Sequence, residues 1–399
     1  MKLILLGMDG SAFREGSYFR KRLKDYSREC ESIVAFILTG DKSAKAFSEG
    51  NLSVTPLACA WKPLSFFNMV AAVRREAGKD PKASVITSQD PFFLGFAAWL
   101  ASKFSGARLH MQIHVEFFSP FYKRESLKNR FQSMLAAFLL PHADRIRAVS
   151  QRIGDYCEIA LRIPEEKIDV IPLLIDVDKF KESGAGQEIE GGSRSATGAR
   201  GSDFSSKKNT RTPETLASRS FNKIILMACR LSKQKNIPLA LRALKKLSDD
   251  VGLVIVGKGE EENNIRTRVS KLGLSERVTI LPWSDDVASL MKTADVFLIS
   301  SDYEGYVMTA MEASTCGLPV VMTDVGGAGE FVEDGVNGLV VPIGDEAALV
   351  SALGKVLNDG ALQQKLVAGA LRKTVALPSR EAYVRGIVQS WEKTTKSSE

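Results

Sequence analysis

The chain has 399 residues, 44% hydrophobic and 25% charged, with a net charge of +7 and a pI near 9.0. This is a globular composition with room for two domains, each with its own core; no run approaches the roughly 18 uninterrupted apolar residues that mark a membrane span. The cysteines (Cys30, Cys59, Cys157, Cys229, Cys316) show no CxxC or metal spacing, and none lies near His110, His114 or His142, so a Cys/His metal site is disfavoured and reduced thiols in a cytosolic protein are expected.

The opening MKLILLG is too short an apolar run for a secretory leader and leads into Asp9, so it reads as a strand over Lys2–Leu6. Further strands are expected over Ser32–Leu38, Ser84–Thr87, Arg108–His114, Arg145–Val149 and Lys167–Ile171. Amphipathic helices fall between them over Tyr18–Glu29, Ser65–Glu76, Phe92–Phe104 and Leu127–Leu139. Strands alternating with helices imply a parallel sheet covered on both faces.

Residues 184–220 carry few large apolar side chains and many Gly, Ser, Thr and charged residues, the composition of a disordered linker or insert. Alternation resumes with NKIILMACR, a helix near Pro238–Leu247, GLVIVG, a helix near Glu261–Lys271, RVTILPW, a helix near Val287–Lys292, and ADVFLIS. A final helix is expected over Ala382–Lys393, around Trp391. The predicted organisation is a doubly wound α/β domain over residues 1–183, the insert at 184–220, a second doubly wound domain over 221–378, and a C-terminal helix and tail over 379–399. A ligand crevice is expected between the domains.

Charge is divided unevenly along the chain. Residues 1–183 hold 27 Lys/Arg against 21 Asp/Glu, whereas residues 221–399 hold 21 against 22. A basic first half suits an anionic partner. With no nucleic-acid motif present, an acidic membrane surface fits at least as well. FFSPFYKRESLKNRF interleaves rings with Lys123, Arg124, Lys128 and Arg130; it suits either a bilayer surface or a loop and helix whose rings are core.

The most informative stretch is DVFLISSDYEGYVMTAMEASTCGLPVV, a buried strand, a polar turn, a helix and a second strand. It puts Glu304 in the turn beyond the strand's carboxyl end, where open α/β sheets bind ligands, and Glu312 on the following helix. Eight helical positions span at most about 12 Å, so one carboxylate can reach a sugar while the other reaches a ribose. Arg230 ends the strand ILMACR and Lys235 follows before a helix; two cations at a strand's carboxyl end suit a pyrophosphate. The helix after Gly305 turns its amino terminus, with its free N–H groups, to the same edge. VGKGEE is half a dinucleotide fingerprint, with Gly257 and Gly259 in place but Glu262 at the third glycine. The glycines of Thr323-Asp324-Val325-Gly326-Gly327 permit a tight loop. His114 closes a strand and can face the crevice. Asp176-Val177-Asp178 is a D-x-D at the domain boundary, where turn and hinge chemistry is favoured over metal binding.

In this order these pieces resemble the retaining glycosyltransferases of family 4, with the GT-B fold, which implies two Rossmann-like domains facing a central cleft and a C-terminal helix crossing back to the N-terminal domain. ACRLSKQKN is similar to that family's G-R-L-x-x-x-K-G, with Cys229 and Asn236 in place of its glycines. EGYVMTAMEASTCGLPVVMTDVGGAGEFVEDGVNGLVVP resembles its E-x7-E block, with Val307 where Gly or Pro is frequent, and RLHMQIHVEFF its histidine-bearing strand. Leu173-Leu174 stand where the family usually has Asn-Gly.

The resemblance implies that Arg230 and Lys235 hold the donor diphosphate with the Val307 and Met308 backbone. It implies further that Glu304 contacts the donor sugar, Glu312 the ribose, and Gly257 and Trp283 the ribose and base region. His114 would position sugar or acceptor, and Asp9 and Gly10 belong to the acceptor loop. The expected activity is transfer of a hexose-type sugar from a nucleoside diphosphate sugar to a lipid-linked or polysaccharide acceptor in envelope glycan biosynthesis, with retention, no metal or other cofactor, and a cytosolic, membrane-peripheral location. The alternatives are another GT-B enzyme, such as a nucleotide-sugar 2-epimerase, and a non-catalytic sugar-binding protein.

Overall fold

The computed structural model describes residues 1–58, 63–182, 221–284 and 286–396. The expected linker at 184–220 and Cys59 lie outside the described residues. The first sheet holds β1 (Lys2–Gly7), β2 (Ser32–Thr39), β3 (Phe47–Glu49), β4 (Leu52–Ala58), β5 (Ser84–Ser88), β6 (Arg108–Ile113), β7 (Arg145–Ala148) and β8 (Ile168–Val170). Its order is β3-β4-β2-β1-β5-β6-β7-β8, parallel except where β3 meets β4. β1 and β5 read as continuous apolar or small-residue runs because each is paired on both edges and covered on both faces. The β3–β4 hairpin escapes the alternating pattern because β3 is three residues long and β4 contains Pro56. Pro56 is tolerated because β3 pairs only with Leu52–Val54, leaving that edge free of the ladder.

Around this sheet lie α1 (Tyr18–Glu29), α2 (Pro63–Ala77), α3 (Phe93–Ser105), α4 (Pro120–Glu125), α5 (Leu127–Leu139) and α6 (Gln151–Asp155). A short α7 (Val177–Glu182) follows. Ser17, Ser126 and Ser150 cap α1, α5 and α6 by accepting a backbone N–H two or three residues into the helix.

The second sheet holds β9 (Lys223–Ala228), β10 (Val251–Val256), β11 (Val278–Leu281), β12 (Val296–Ile299), β13 (Val320–Thr323) and β14 (Gly338–Val341), all parallel in the order β11-β10-β9-β12-β13-β14. Its helices are α8 (Ile237–Lys246), α9 (Glu262–Lys271), α10 (Val287–Thr293), α11 (Met308–Thr315), α12 (Glu346–Asn358) and α13 (Gly360–Val375). The order reverses at β9 and β12, so the loops after these two strands flank a switch point, the ligand edge of such sheets.

The last helix, α14 (Arg380–Lys396), leaves the second domain and packs on α1 and the first sheet. Tyr383, Val384, Ile387, Val388 and Trp391 join Leu3, Leu5, Leu23 and Tyr26 in one core. Arg147, buried beneath it, donates to Tyr383 Oη at 3.0 Å and to the carbonyls of Ile171 and Pro172 at 3.0 and 3.2 Å. That single guanidinium fastens β7, the chain leaving the first domain and the returning helix. Among the described residues, no helix is long and apolar enough to cross a membrane.

Candidate functional site

Glu304 sits in the turn between β12 and α11, almost fully buried. Lys235 Nζ lies 2.5 Å from its Oε1, Ser301 Oγ donates to the same oxygen at 2.6 Å, and Gln234 Nε2 donates to Oε2 at 3.0 Å. Gln234 also donates to the Tyr303 carbonyl at 2.8 Å. A buried carboxylate needs such partners, and these come from the β9 and β12 ends that the switch point sets side by side. Asn236 explains one departure from the family motif. It adopts φ 42°, in the left-handed region where asparagine is tolerated next after glycine, and its side chain caps α8.

The same edge carries the remaining donor-side candidates. Val307 is the N-cap of α11 and makes no side-chain cap bond, so the first N–H groups of that helix remain for a ligand. Gly257 donates its N–H to the Leu281 carbonyl at 3.1 Å, and a Cβ there would lie 1.9 Å from the Cys229 carbonyl oxygen. Only glycine lets the ends of β9 and β10 approach so closely. Trp283 follows β11 with its indole exposed. Arg230 projects from the end of β9, 74% exposed, and pairs with Glu260 at 3.3 Å.

Met308 and Glu312 on α11 face the first domain across a cavity of about 320 Å³. Its opposite wall is Gly16, Tyr18 and Lys21, and Leu174, Ile175 and Asp176 also line it. The turn after β1 thus meets the E-x7-E helix through Gly16, at its far end from Asp9 and Gly10. Asp9 and Gly10 lie in that turn; Asp9 caps it by accepting the Ser11 N–H at 3.0 Å. Among the described residues, no three His, Cys, Asp or Glu side chains converge as a metal site would require.

The two domains touch backbone to backbone at His114. A Cβ on Gly305 would lie 2.0 Å from the His114 carbonyl oxygen, and one on Gly326 would lie 2.4 Å from the Gly305 carbonyl oxygen. The His114 ring is half-buried by surface area, yet enough protein surrounds it that burial first, then Arg147 and Arg22, push its pKa well below the ordinary histidine value. It is therefore a neutral imidazole, able to donate to or accept from a hydroxyl.

Several residues of this interface carry no local sequence signal. Glu116 is buried, and burial above all, reinforced by Asp324 and Glu304, pushes its carboxyl up to about 7. Arg152 on α6 opposes that shift from 3.5 Å. Arg152 also spans the crevice, donating to the Asp324 carbonyl at 3.0 Å and pairing with its carboxylate. Glu330 accepts the Gln151 N–H at 2.9 Å. Tyr303 donates to Glu125 of α4 and meets Tyr122 edge-on at 5.3 Å. These contacts tie the two sides of the crevice, and each joins residues more than 150 positions apart except those within the first domain.

Of the aromatics in residues 117–131, Phe117 and Tyr122 are core, whereas Phe131 is 64% exposed. The two readings of that stretch therefore divide it: its first part is packed, and its last ring faces outward.

Comparison with known proteins accords with this geometry. Residues 22–173 match the family model described as glycosyl transferase 4-like domain, and residues 209–373 match glycosyl transferases group 1. The lipopolysaccharide core biosynthesis glycosyltransferase LpsE of Rhizobium meliloti is 31% identical over 42% of this chain and 48% of its own length. The UDP-Gal:alpha-D-GlcNAc-diphosphoundecaprenol alpha-1,3-galactosyltransferase of Escherichia coli is 25% identical over 60% of this chain and 58% of its own. The chain thus spans about half the length of these curated relatives. Among solved structures, Anabaena HepE in complex with UDP-glucose aligns over the whole of both chains with a TM-score of 0.70 at 21% identity. Sucrose-phosphate synthase from Thermosynechococcus elongatus does so with a TM-score of 0.77 at 18% identity. Identities this low speak to the fold alone.

Proposed function

Because this chain belongs to the family-4-type glycosyltransferases of the GT-B fold, we propose that it moves a hexose-type sugar from a nucleoside diphosphate sugar to a lipid-linked or polysaccharide acceptor, with retention at the anomeric carbon. The observation that carries this reading is the Glu304 carboxylate, held by Lys235, Gln234 and Ser301 where β12 ends and His114 approaches from the other domain.

The diphosphate occupies the edge formed by Lys235, Arg230 and the amino terminus of α11. Lys235 shares its charge between Glu304 and the phosphate, and exposed Arg230 swings from Glu260 to grip oxygens bidentately. Stabilising charge on the departing group in this way is usually a large catalytic term, and the reading requires no metal. Glu304 holds the donor sugar, Glu312 the ribose, and Gly257 with Trp283 the ribose and base region. His114, neutral, hydrogen-bonds the sugar or guides the acceptor hydroxyl. The bond from the anomeric carbon to the phosphate oxygen breaks, the acceptor oxygen bonds on the same face, and its proton passes to the departing phosphate.

A lipid-linked acceptor is supported by the relatives, one of whose names specifies a diphosphoundecaprenol acceptor. It is supported also by the outer face of α5. Leu127, Phe131, Met134 and Phe138, spaced as one helical stripe, are all more than half exposed, with Lys128 and Arg130 beside them. An exposed apolar stripe flanked by cations suits an anionic bilayer surface. A panel of nucleotide sugars read by ligand-detected NMR tests the proposal. Saturation transfer to one nucleotide sugar is expected, and its absence across the panel overturns the donor assignment.

A further inference from the structure

Beside the exposed stripe, α2, α3 and α5 enclose a groove of about 390 Å³, within the size range of small-molecule sites. Phe66, Phe92, Phe93, Phe96 and Phe131 line it together with Lys128, and its surface is almost wholly apolar. The rings brace one another: Phe66 stacks on Phe96 with centroids 5.5 Å apart and meets Phe93 at 5.2 Å. The groove is therefore built in advance rather than a gap between mobile side chains.

Two further observations select its occupant. The surrounding segments are cationic: α4 and α5 carry Lys123, Arg124, Lys128 and Arg130 against one acid, Glu125, which accepts from Tyr303. The groove also lies one aromatic layer from the catalytic turn. Phe92 lines it and stacks on Tyr122 at 6.3 Å, and Tyr122 meets Tyr303, the neighbour of Glu304, at 5.3 Å. A peptide seated here would bury backbone N–H and carbonyl groups against a wall with hardly a polar atom to pair them. A hydrocarbon chain has no such requirement, and an anionic head attached to it would lie among the cations, directed toward the crevice.

We propose that this groove binds the hydrocarbon chain of a lipid diphosphate acceptor, setting its phosphates by the α4–α5 cations and its sugar toward Glu304. The inference rests on the lipid-linked acceptor reading and adds to it the residues that hold the chain. The groove shares Phe131 with the α5 stripe, whose remaining residues, Leu127, Met134 and Phe138, are left to the bilayer surface.

The test uses the full-length protein and farnesyl diphosphate, below its aggregation concentration and without vesicles. Calorimetry should show binding at least tenfold tighter than inorganic pyrophosphate. Phe131→Glu should weaken it at least tenfold, whereas Phe131→Leu should keep it within threefold. Phe131 is exposed, so neither change removes a core side chain, and unchanged melting and nucleotide-sugar binding confirm that both variants are folded. A benzophenone-bearing analogue should label peptides of α2, α3 or α5. Equal affinity for pyrophosphate, unchanged affinity in Phe131→Glu, or labelling elsewhere overturns the assignment. So does sedimentation with phosphatidylglycerol vesicles unaccompanied by farnesyl diphosphate binding, which would leave only a bilayer contact. Nucleotide-sugar binding without farnesyl diphosphate binding refutes the groove alone; loss of nucleotide-sugar binding in the native protein refutes the donor reading instead.

Discussion

The carbonyl oxygen of His114 lies 2.0 Å from where a Cβ on Gly305 would stand, so the two domains meet through a contact that only glycine admits. The His114 carbonyl carbon would be 2.5 Å from the same point, and both are backbone atoms that cannot rotate away. Gly305→Ala should therefore push the domains apart at the site without disturbing either core. Misplacement by about 1 Å can cost roughly 100-fold in rate, and a fall of that order in transfer is expected with near-normal melting. Full activity of the variant would show that the contact does not set the catalytic geometry.

Lys235 and Glu304 form a pair in which both side chains are largely buried, 21% and 9% exposed. Removing one partner leaves an uncompensated charge, at about 3–5 kcal/mol for a fully buried pair. Lys235→Met should destabilise the second domain by somewhat less than that, read by urea titration, and weaken donor binding. Adding Glu304→Gln to it should recover part of the stability and none of the transfer.

Glu116 gives the protein a pH dependence of defined sign. Burial raises its folded pKa from 4.5 to about 7, so the native state holds the proton more tightly than the unfolded chain. The stability it contributes is fully present below about pH 4.5 and is lost as the pH rises through about 7. Glu116→Gln, neutral throughout, should remove this loss. Melting temperatures of the two proteins, compared at pH 5 and pH 8, should differ more at the higher pH, with the variant the more stable there. Parallel curves would rule out a titrating Glu116.

Trp391 is fully buried on α14 and meets Tyr26 edge-on at 5.1 Å. Trp391→Ala should cost about 3–5 kcal/mol, and the loss should appear in the first domain, 300 residues and more away in sequence. Hydrogen exchange across β1 and α1 distinguishes this from a local effect at the carboxyl end: protection there should fall.

These relationships show what the chain discloses before folding. α1 and α5 span the residues their periodicity predicts, because a serine cap and an apolar stripe are local signals. The placement of Glu304 and Glu312 was legible for the same reason, since strand, turn and helix follow one another within a single stretch. The partners of Glu304 were not. Lys235 stood out as a phosphate ligand, yet its contact with Glu304 spans 69 positions and depends on β9 lying beside β12. Arg152 and Glu116 look like any surface charges until the second domain brings Asp324 to them. Trp391 announced a buried helix, and periodicity states only that a face is covered; that the covering core lies at the opposite end of the chain was expected from the family resemblance alone.

If Glu304 acts on the donor sugar, Glu304→Gln should part transfer from binding when the two are measured together. With the nucleotide sugar and acceptor established for the native protein, nucleoside diphosphate release should fall by roughly 100-fold or more, while donor affinity by calorimetry stays within a few-fold. Transfer at the native rate by Glu304→Gln would exclude a role for this carboxylate at the donor sugar.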